Sequence, residues 1–90
     1  MVFDLSFAAY LDWIEKLRAE VREDPSEHNM RMLARVMNTC VVQSDLEDAE
    51  EHGLLWEAIY WHLRLYYTYG RKEDLERAES IDRYRNYGVF

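Results

Sequence analysis

The sequence predicts an all-α fold, either a compact four-helix bundle or a pair of packed helical hairpins, and three observations support this prediction. The chain of 90 residues has 49% hydrophobic and 32% charged residues but only three glycines and one proline, a composition typical of packed helices. Apolar residues recur at alternating intervals of three and four, which is the period of an amphipathic helix. Helix-start and helix-end signals divide this pattern into helices at about 5–23, 25–43, 45–69 and 72–86 of one domain, 1–90.

The first two predicted helices meet at the single proline. Asp4 is the predicted N-cap of the first helix, whose apolar stripe should end before Pro25, because a residue that precedes proline disfavours helical geometry. That stripe consists of Phe7, Tyr10, Ile14, Leu17 and Val21. Asp24 as N-cap, Pro25 at the first helical position and Glu27 three residues after the cap predict the start of the second helix. Cys40, the single cysteine, lies in the apolar stripe of that helix and is expected to be buried.

The third predicted helix is the most apolar one and carries two stripes. Ser44 and Glu47 are predicted to form a capping box at its start, and Gly53 marks a position where the helix could kink or break. The first stripe, expected to face the core, consists of Trp56, Tyr60, Leu63 and Tyr67. The second stripe, with the spacing of a coiled-coil seam, includes Leu54, Trp61, Leu65 and Tyr69. Either the second stripe is a contact surface for another chain, or the helix lies centrally and buries both faces.

The last helix is predicted to be charged and to follow a sharp turn. Gly70 should end the third helix in the left-handed conformation, and Arg71 and Lys72 then lead into the fourth. Residues 86–90 are expected to form a tail. Arg18 falls inside the apolar face of the first helix, so its side chain either extends along that face to solvent or pairs with a carboxylate across the bundle.

The formal net charge of −7 is concentrated in one segment of the chain. This acidic block consists of Asp45, Glu47, Asp48, Glu50 and Glu51. Carboxylates at the start of a helix are stabilised by the positive end of the helix dipole. Because the acidic block directly precedes the aromatic helix, it also predicts an acidic edge that attracts a basic protein partner. The overall acidity argues against direct nucleic-acid binding, which needs clustered Lys and Arg.

The sequence contains no recognisable catalytic pattern, and the protein is expected not to be an enzyme. A di-iron bundle would need a Glu-x-x-His pair on each of two helices, but Ala49 stands three residues before His52 and Ile59 three before His62. Cys40 would need an activating base nearby to act as a nucleophile. We therefore expect no metal and no cofactor, and we keep a ligand- or metal-binding helical bundle as the alternative function.

The expected function is that of a non-enzymatic, acidic, helical protein–protein interaction module that forms homodimers, docks on a basic protein as an adaptor or inhibitor, or both. Small acidic helical proteins of this kind occur among phage and mobile-element inhibitors of nucleic-acid-handling or defence complexes, which is an analogy at the level of class. A single cysteine is consistent with the reducing cytoplasm, and no stretch approaches the roughly 20 apolar residues of a membrane span. The predicted contact residues are Leu54, Trp61, Leu65 and Tyr69 with the acidic block Asp45, Glu47, Asp48, Glu50 and Glu51.

Overall fold

Two helical hairpins pack against each other in the computed structural model, which describes residues 6–89. The helices of this part are α1 (Phe7–Glu23), α2 (Glu27–Gln43), α3 (Leu46–Glu51), α4 (Leu54–Tyr69) and α5 (Lys72–Tyr87). The first hairpin is α1 on α2 and the second is α4 on α5, and the two hairpins meet where α2 packs on α4. The short α3 contacts both α2 and α4. The predicted all-α fold of packed helical hairpins is therefore confirmed.

The first helix begins at a serine cap. The side chain of Ser6 accepts a hydrogen bond from the backbone N–H of Ala9 at 3.2 Å, which satisfies one of the free donors at the helix start. The predicted cap, Asp4, lies outside the described residues. The hydroxyl of Tyr10 donates to Oε1 of Gln43 at 2.7 Å, and this bond joins the start of α1 to the end of α2.

The second helix also begins at a serine, so the predicted N-cap at Asp24 is wrong. The side chain of Ser26 accepts a hydrogen bond from the N–H of Asn29 at 3.2 Å. Asp24 instead closes α1, because its backbone N–H donates to the carbonyl oxygen of Glu20 at 2.9 Å. The link between the two helices is therefore two residues longer than the sequence predicts.

The chain turns at Gly53, so the predicted helix 45–69 is two helices. Gly53 has a φ of 68° and a ψ of 16°, a left-handed conformation that costs other residues about 1–2 kcal/mol. The predicted capping box at Ser44 is wrong, since the N-cap of α3 is Asp45 and no side-chain hydrogen bond caps that helix. Gly70 closes α4 as predicted, with a φ of 73° and its N–H bonded to the carbonyl of Tyr66 at 2.7 Å.

The core is aliphatic and draws on all five helices. Its largest fully buried apolar side chains are Ile14, Leu33, Met37, Leu54, Leu55, Leu65, Ile81 and Val41. The predicted stripe of α1 faces this core, with Tyr10, Leu17 and Val21 buried and Phe7 partly buried. Cys40 is fully buried, as predicted. None of the helices between residues 6 and 89 combines the length and the hydrophobicity that crossing a membrane requires.

Replacing Gly53 by alanine is expected to lower the free energy of unfolding by about 1 kcal/mol, because alanine disfavours the left-handed conformation. Steric conflict should add nothing, since a Cβ at this position would meet no atom within 4 Å. Urea denaturation followed by circular dichroism measures the effect. Gly53→Asn is the control and should lose clearly less, because asparagine tolerates this conformation better. Equal losses for the two variants would contradict the explanation by backbone conformation.

Candidate functional site

Aromatic side chains stand exposed along one side of α4. Trp56, Tyr60 and Tyr67 are 61%, 52% and 78% exposed. At about 100° per residue, these three and the partly buried Leu63 fall within about 60° of one another around the helix. They therefore form a continuous row on the outer side of α4, opposite the core. We call Trp56, Tyr60, Leu63 and Tyr67 the outer stripe.

The predicted orientation of α4 is wrong, because its two stripes exchange places. The stripe expected to face the core is the outer stripe just described. Of the residues predicted to form a contact seam, Leu54 and Leu65 are fully buried, Trp61 packs partly buried against the core, and Tyr69 is exposed. The structure thus does not bring these four together on one surface, and Leu54 and Leu65 are not accessible in the folded chain. Binding of a partner by Trp61 or Tyr69 stays a prediction.

The two faces of α4 differ in side-chain size rather than in polarity. Both stripes of α4 are apolar, so the hydrophobic pattern alone does not decide which one is buried. The inner face combines leucines with the small Ala58, which is fully buried where α4 packs on its neighbours. Aliphatic and small side chains interdigitate at the density of protein interiors. The bulkier rings of Trp56, Tyr60 and Tyr67 lie on the outside.

Arginine side chains lie over two tryptophan rings beside the outer stripe. The guanidinium carbon of Arg85, on α5, is 4.1 Å from the ring centre of Trp56. The corresponding distance from Arg64 to Trp61 is 5.3 Å. Both distances lie within the roughly 6 Å range of cation–π attraction. Arg85 is itself anchored, since its Nη2 donates to Oδ1 of Asp82 at 3.1 Å. Trp56 is thus held in place while most of its surface remains exposed.

Glu57 ties α4 to α1 at the edge of the outer stripe. Arg18 donates from Nε to Oε2 of Glu57 at 2.9 Å and from Nη2 to Oε1 at 2.6 Å. Nε1 of Trp61 donates to the same carboxylate at 3.2 Å. The hydrogen bonds to Glu57 raise the pKa of the Arg18 guanidinium. Of the two fates predicted for Arg18, pairing with a carboxylate across the bundle is the one that the structure confirms.

The acidic block lies on and around α3, immediately before the turn into α4. All five carboxylates, from Asp45 to Glu51, are exposed. None takes part in an ion pair with another residue of the 6–89 segment. Glu47 and Asp48 lie in the first turn of α3, where the positive end of the helix dipole stabilises a carboxylate. The block leaves a concentration of unpaired negative charge beside the N-terminal end of α4.

A separate cluster of charged residues lies between α2, α4 and α5, with Asp74 and His62 at its buried centre, and no pattern in the sequence predicts it. Asp74 is 1% exposed, and its two carboxylate oxygens accept hydrogen bonds from Nη1 of Arg31 at 3.0 and 3.2 Å. Nη2 of Arg31 donates to Oε2 of Glu27 at 3.1 Å. Arg71, at the start of α5, reaches the same oxygen at 3.2 Å. Nδ1 of His62 lies 3.6 Å from Oδ1 of Asp74.

The His62–Asp74 pair has the composition of a general base and its orienting carboxylate, but its geometry favours a structural role. The separation of 3.6 Å exceeds the length of a hydrogen bond, and neither ring nitrogen has a hydrogen-bond partner within residues 6–89. Burial lowers the pKa of the His62 imidazole, and the Asp74 carboxylate only partly offsets this effect. The guanidinium groups of Arg77 and Arg31 lower this pKa further. A neutral imidazole that is 1% exposed meets no substrate.

The remaining candidates for metal, ligand or thiol chemistry find little support in the described part of the chain. No group of three or more His, Cys, Asp and Glu side chains between residues 6 and 89 could hold a metal ion. Burial raises the pKa of the Cys40 thiol, which disfavours the reactive thiolate. A pocket of about 70 Å³ on α2, lined by His28, Arg31, Met32 and Arg35, is far smaller than the roughly 300–1,000 Å³ of typical ligand sites.

Replacing Arg31 by methionine is expected to lower the free energy of unfolding by about 3–5 kcal/mol, because the Asp74 carboxylate would stay buried without its partner. Thermal or urea denaturation measures the loss. Lys16→Met is the matched control, since it breaks an ion pair with Asp12 whose side chains are 73% and 71% exposed, and it should cost at most about 1 kcal/mol. The double variant Arg31→Met/Asp74→Leu should regain much of the stability. If the double variant were as unstable as Arg31→Met alone, the unpaired Asp74 carboxylate would not be the cause of the lost stability.

His62 should make stability depend on pH. Its pKa in the folded protein is lowered, whereas in the unfolded chain it is near 6.5, so the unfolded state binds more protons below that pH. The free energy of unfolding should therefore be highest above pH 6.5 and fall as the pH drops below it, by at most about 1.4 kcal/mol per pH unit. In His62→Leu this part of the slope should disappear. Identical slopes for wild type and variant between pH 7.5 and 5 would refute the prediction.

Comparison of the chain with protein-family models, with curated proteins and with solved structures found no match.

Proposed function

We propose that the protein is a non-enzymatic protein–protein interaction module whose contact surface is the outer stripe of α4. One observation carries this proposal. Trp56, Tyr60 and Tyr67 are each more than half exposed on one side of a helix whose opposite side is already buried. A core that is complete without these three rings leaves them available to another protein. They replace the seam that the sequence predicts on the same helix.

The size of the exposed aromatic surface supports this function. The rings of Trp56, Tyr60 and Tyr67 can each bury about 150–250 Å², so their exposed fractions amount to about 300–450 Å² in contact with water. The largest apolar patch on a typical monomer is about 300–600 Å² and is often functional. Tryptophan and tyrosine are also among the residues that contribute most to binding energy at interfaces.

One end of the outer stripe is also held in place before any partner arrives. Arg85 holds the Trp56 ring from α5, and the bond from Trp61 to Glu57 fixes the neighbouring ring. Side chains that are already restrained lose little conformational entropy on binding. The contacts of Trp56 and Trp61 therefore favour specific binding over non-specific association.

The acidic block adds a preference for a basic partner. Its five carboxylates are exposed and unpaired within residues 6–89, beside the start of α4. Charge of one sign next to an aromatic surface steers the encounter with an oppositely charged protein, while the aromatic contacts slow its dissociation. An inhibitor of a nucleic-acid-handling or defence complex in the cytoplasm is one form of this function, because such complexes present basic surfaces.

Removing the exposed rings should abolish binding without unfolding the protein. Trp56→Ser and Tyr67→Ser should each change the free energy of unfolding by less than about 1 kcal/mol, since the side chains are exposed. Tyr87→Ser is the matched control, because Tyr87 is 76% exposed but lies on α5, outside the outer stripe. Solution mass from light scattering, and quantitative mass spectrometry of proteins retained from an extract of the native host, compare the three variants with the wild type.

The expected result is at least one bound species, either another copy or a different protein, that the wild type and Tyr87→Ser retain and both stripe variants lose. The same solution mass and the same retained proteins for all four would contradict the proposal. Unfolding of Trp56→Ser would show instead that this ring belongs to the core.

A further inference from the structure

We infer that α5 undocks from the bundle in acid as one unit, because the undocked state leaves His62 free to take up a proton. This inference is independent of the contact surface proposed on α4. It rests on three features of the described residues. They are the small apolar contribution of α5 to the core, the charges through which α5 meets α2, and the position of His62 between these two helices.

The helix α5 contributes little apolar surface to the core. Its buried apolar residues are Ala78 and Ile81, and the third buried residue is Asp74, whereas α2 buries seven apolar residues. Of the eight largest fully buried apolar side chains between residues 6 and 89, Ile81 alone comes from α5. The packing of α1 on α2 and of α2 on α4 does not include α5. Separation of α5 can therefore cost less free energy than unfolding of the whole domain.

Ion pairs connect α5 to the first hairpin. Packing of α5 is extensive on α4, while its contacts with α2 include the bond between Arg31 and Asp74 at 3.0 Å. Arg71, the N-cap of α5, lies 3.2 Å from the carboxylate of Glu27 on α2. Charges attract or repel each other far more strongly in the protein interior than in water. The docking of α5 on α2 is therefore sensitive to any charge that is added between them.

His62 occupies the place where such a charge would appear. Its imidazole is buried, with Nδ1 at 3.6 Å from Oδ1 of Asp74. The charged groups that act on it are Asp74 and Arg77 from α5 and Arg31 from α2, whereas α3, which also packs on α4, supplies none of them. Two guanidinium groups thus oppose a proton on the imidazole, and the one carboxylate already accepts two hydrogen bonds from Arg31.

Undocking of α5 removes this conflict. It takes Arg77 away from the imidazole and lets water reach it. In the docked state burial lowers the pKa of His62, whereas an imidazole in water has a pKa near 6.5. The undocked state therefore binds the proton more tightly, so the docked state is most stable above about pH 6.5 and the undocked population rises as the pH falls below it.

Hydrogen exchange of the full chain, resolved to single amides by NMR at pH 7.5 and pH 5.5, tests the inference. Protection factors, which compare each amide with an unfolded chain at the same pH, report the free energy of opening. The amides of α5 should share one protection factor, at least about tenfold below that of the most protected amides of α2. Between pH 7.5 and pH 5.5 this factor should fall by about three- to tenfold, because one proton is taken up.

Two histidine variants assign the pH dependence. In His62→Leu the protection factor of α5 should agree within about twofold at the two pH values, since this position then takes up no proton. His52→Leu is the matched control, because His52 is exposed at the end of α3, and it should keep the fall seen in the wild type. His62→Gln, which is also neutral, takes the place of His62→Leu if that variant does not fold.

Global unfolding also exposes His62, so the opening is located by the level of protection together with its pH dependence. If the amides of α5 were as well protected as those of α2, α5 would open only with the whole domain and the inference would be wrong. Protection that decreases gradually towards one end of α5 would show fraying instead of a concerted step and would overturn it too. The same holds for a protection factor that does not change with pH, or for a fall that persists in the His62 variant.

Discussion

The buried ion pair between Arg31 and Asp74 is the constraint on which the arrangement of the helices depends. A carboxylate that is 1% exposed would cost several kcal/mol without its partner, so α2 and α5 favour the one register that joins the two side chains. The second nitrogen of Arg31 holds Glu27, which also binds Arg71 beside the turn between α4 and α5. The same network therefore joins the first hairpin to the second across the bundle.

Two of the ionic contacts between distant segments differ in their burial and in what they stabilise. Arg31 and Asp74 meet inside the bundle, whereas Arg18 and Glu57 meet at its edge with about a quarter of each side chain in solvent. Separating Arg31 from Asp74 would leave a buried charge unpaired, so this pair acts mainly by destabilising alternative arrangements of the helices. The outer pair adds less stability, but it holds Glu57, and through Glu57 the indole of Trp61, next to the outer stripe. One contact thus fixes the fold and the other shapes the surface.

The sequence predicts the helices better than it predicts the surface, for physical reasons. Helix periodicity, Pro25 and the left-handed glycine at position 70 locate most of the helix ends. The break at Gly53 is visible only as a possibility, because a glycine inside a helical pattern permits a turn without requiring one. The orientation of α4 is not predictable from hydrophobicity, since both of its stripes are apolar and packing decides between them. The burial of Asp74 has no local signal either, because its partner Arg31 is distant in sequence.

The turn at Gly53 has an evolutionary consequence. It sets apart α3, a helix that contributes only Ala49 and the partly buried Leu46 to the core. The acidic side chains of α3 and the rings of the outer stripe are exposed, so substitutions there change what the surface attracts at little cost in folding free energy. The residues that determine stability and those that would determine specificity are therefore largely separate sets. Substitutions on α3 and on the outer stripe can therefore accumulate while the scaffold stays folded.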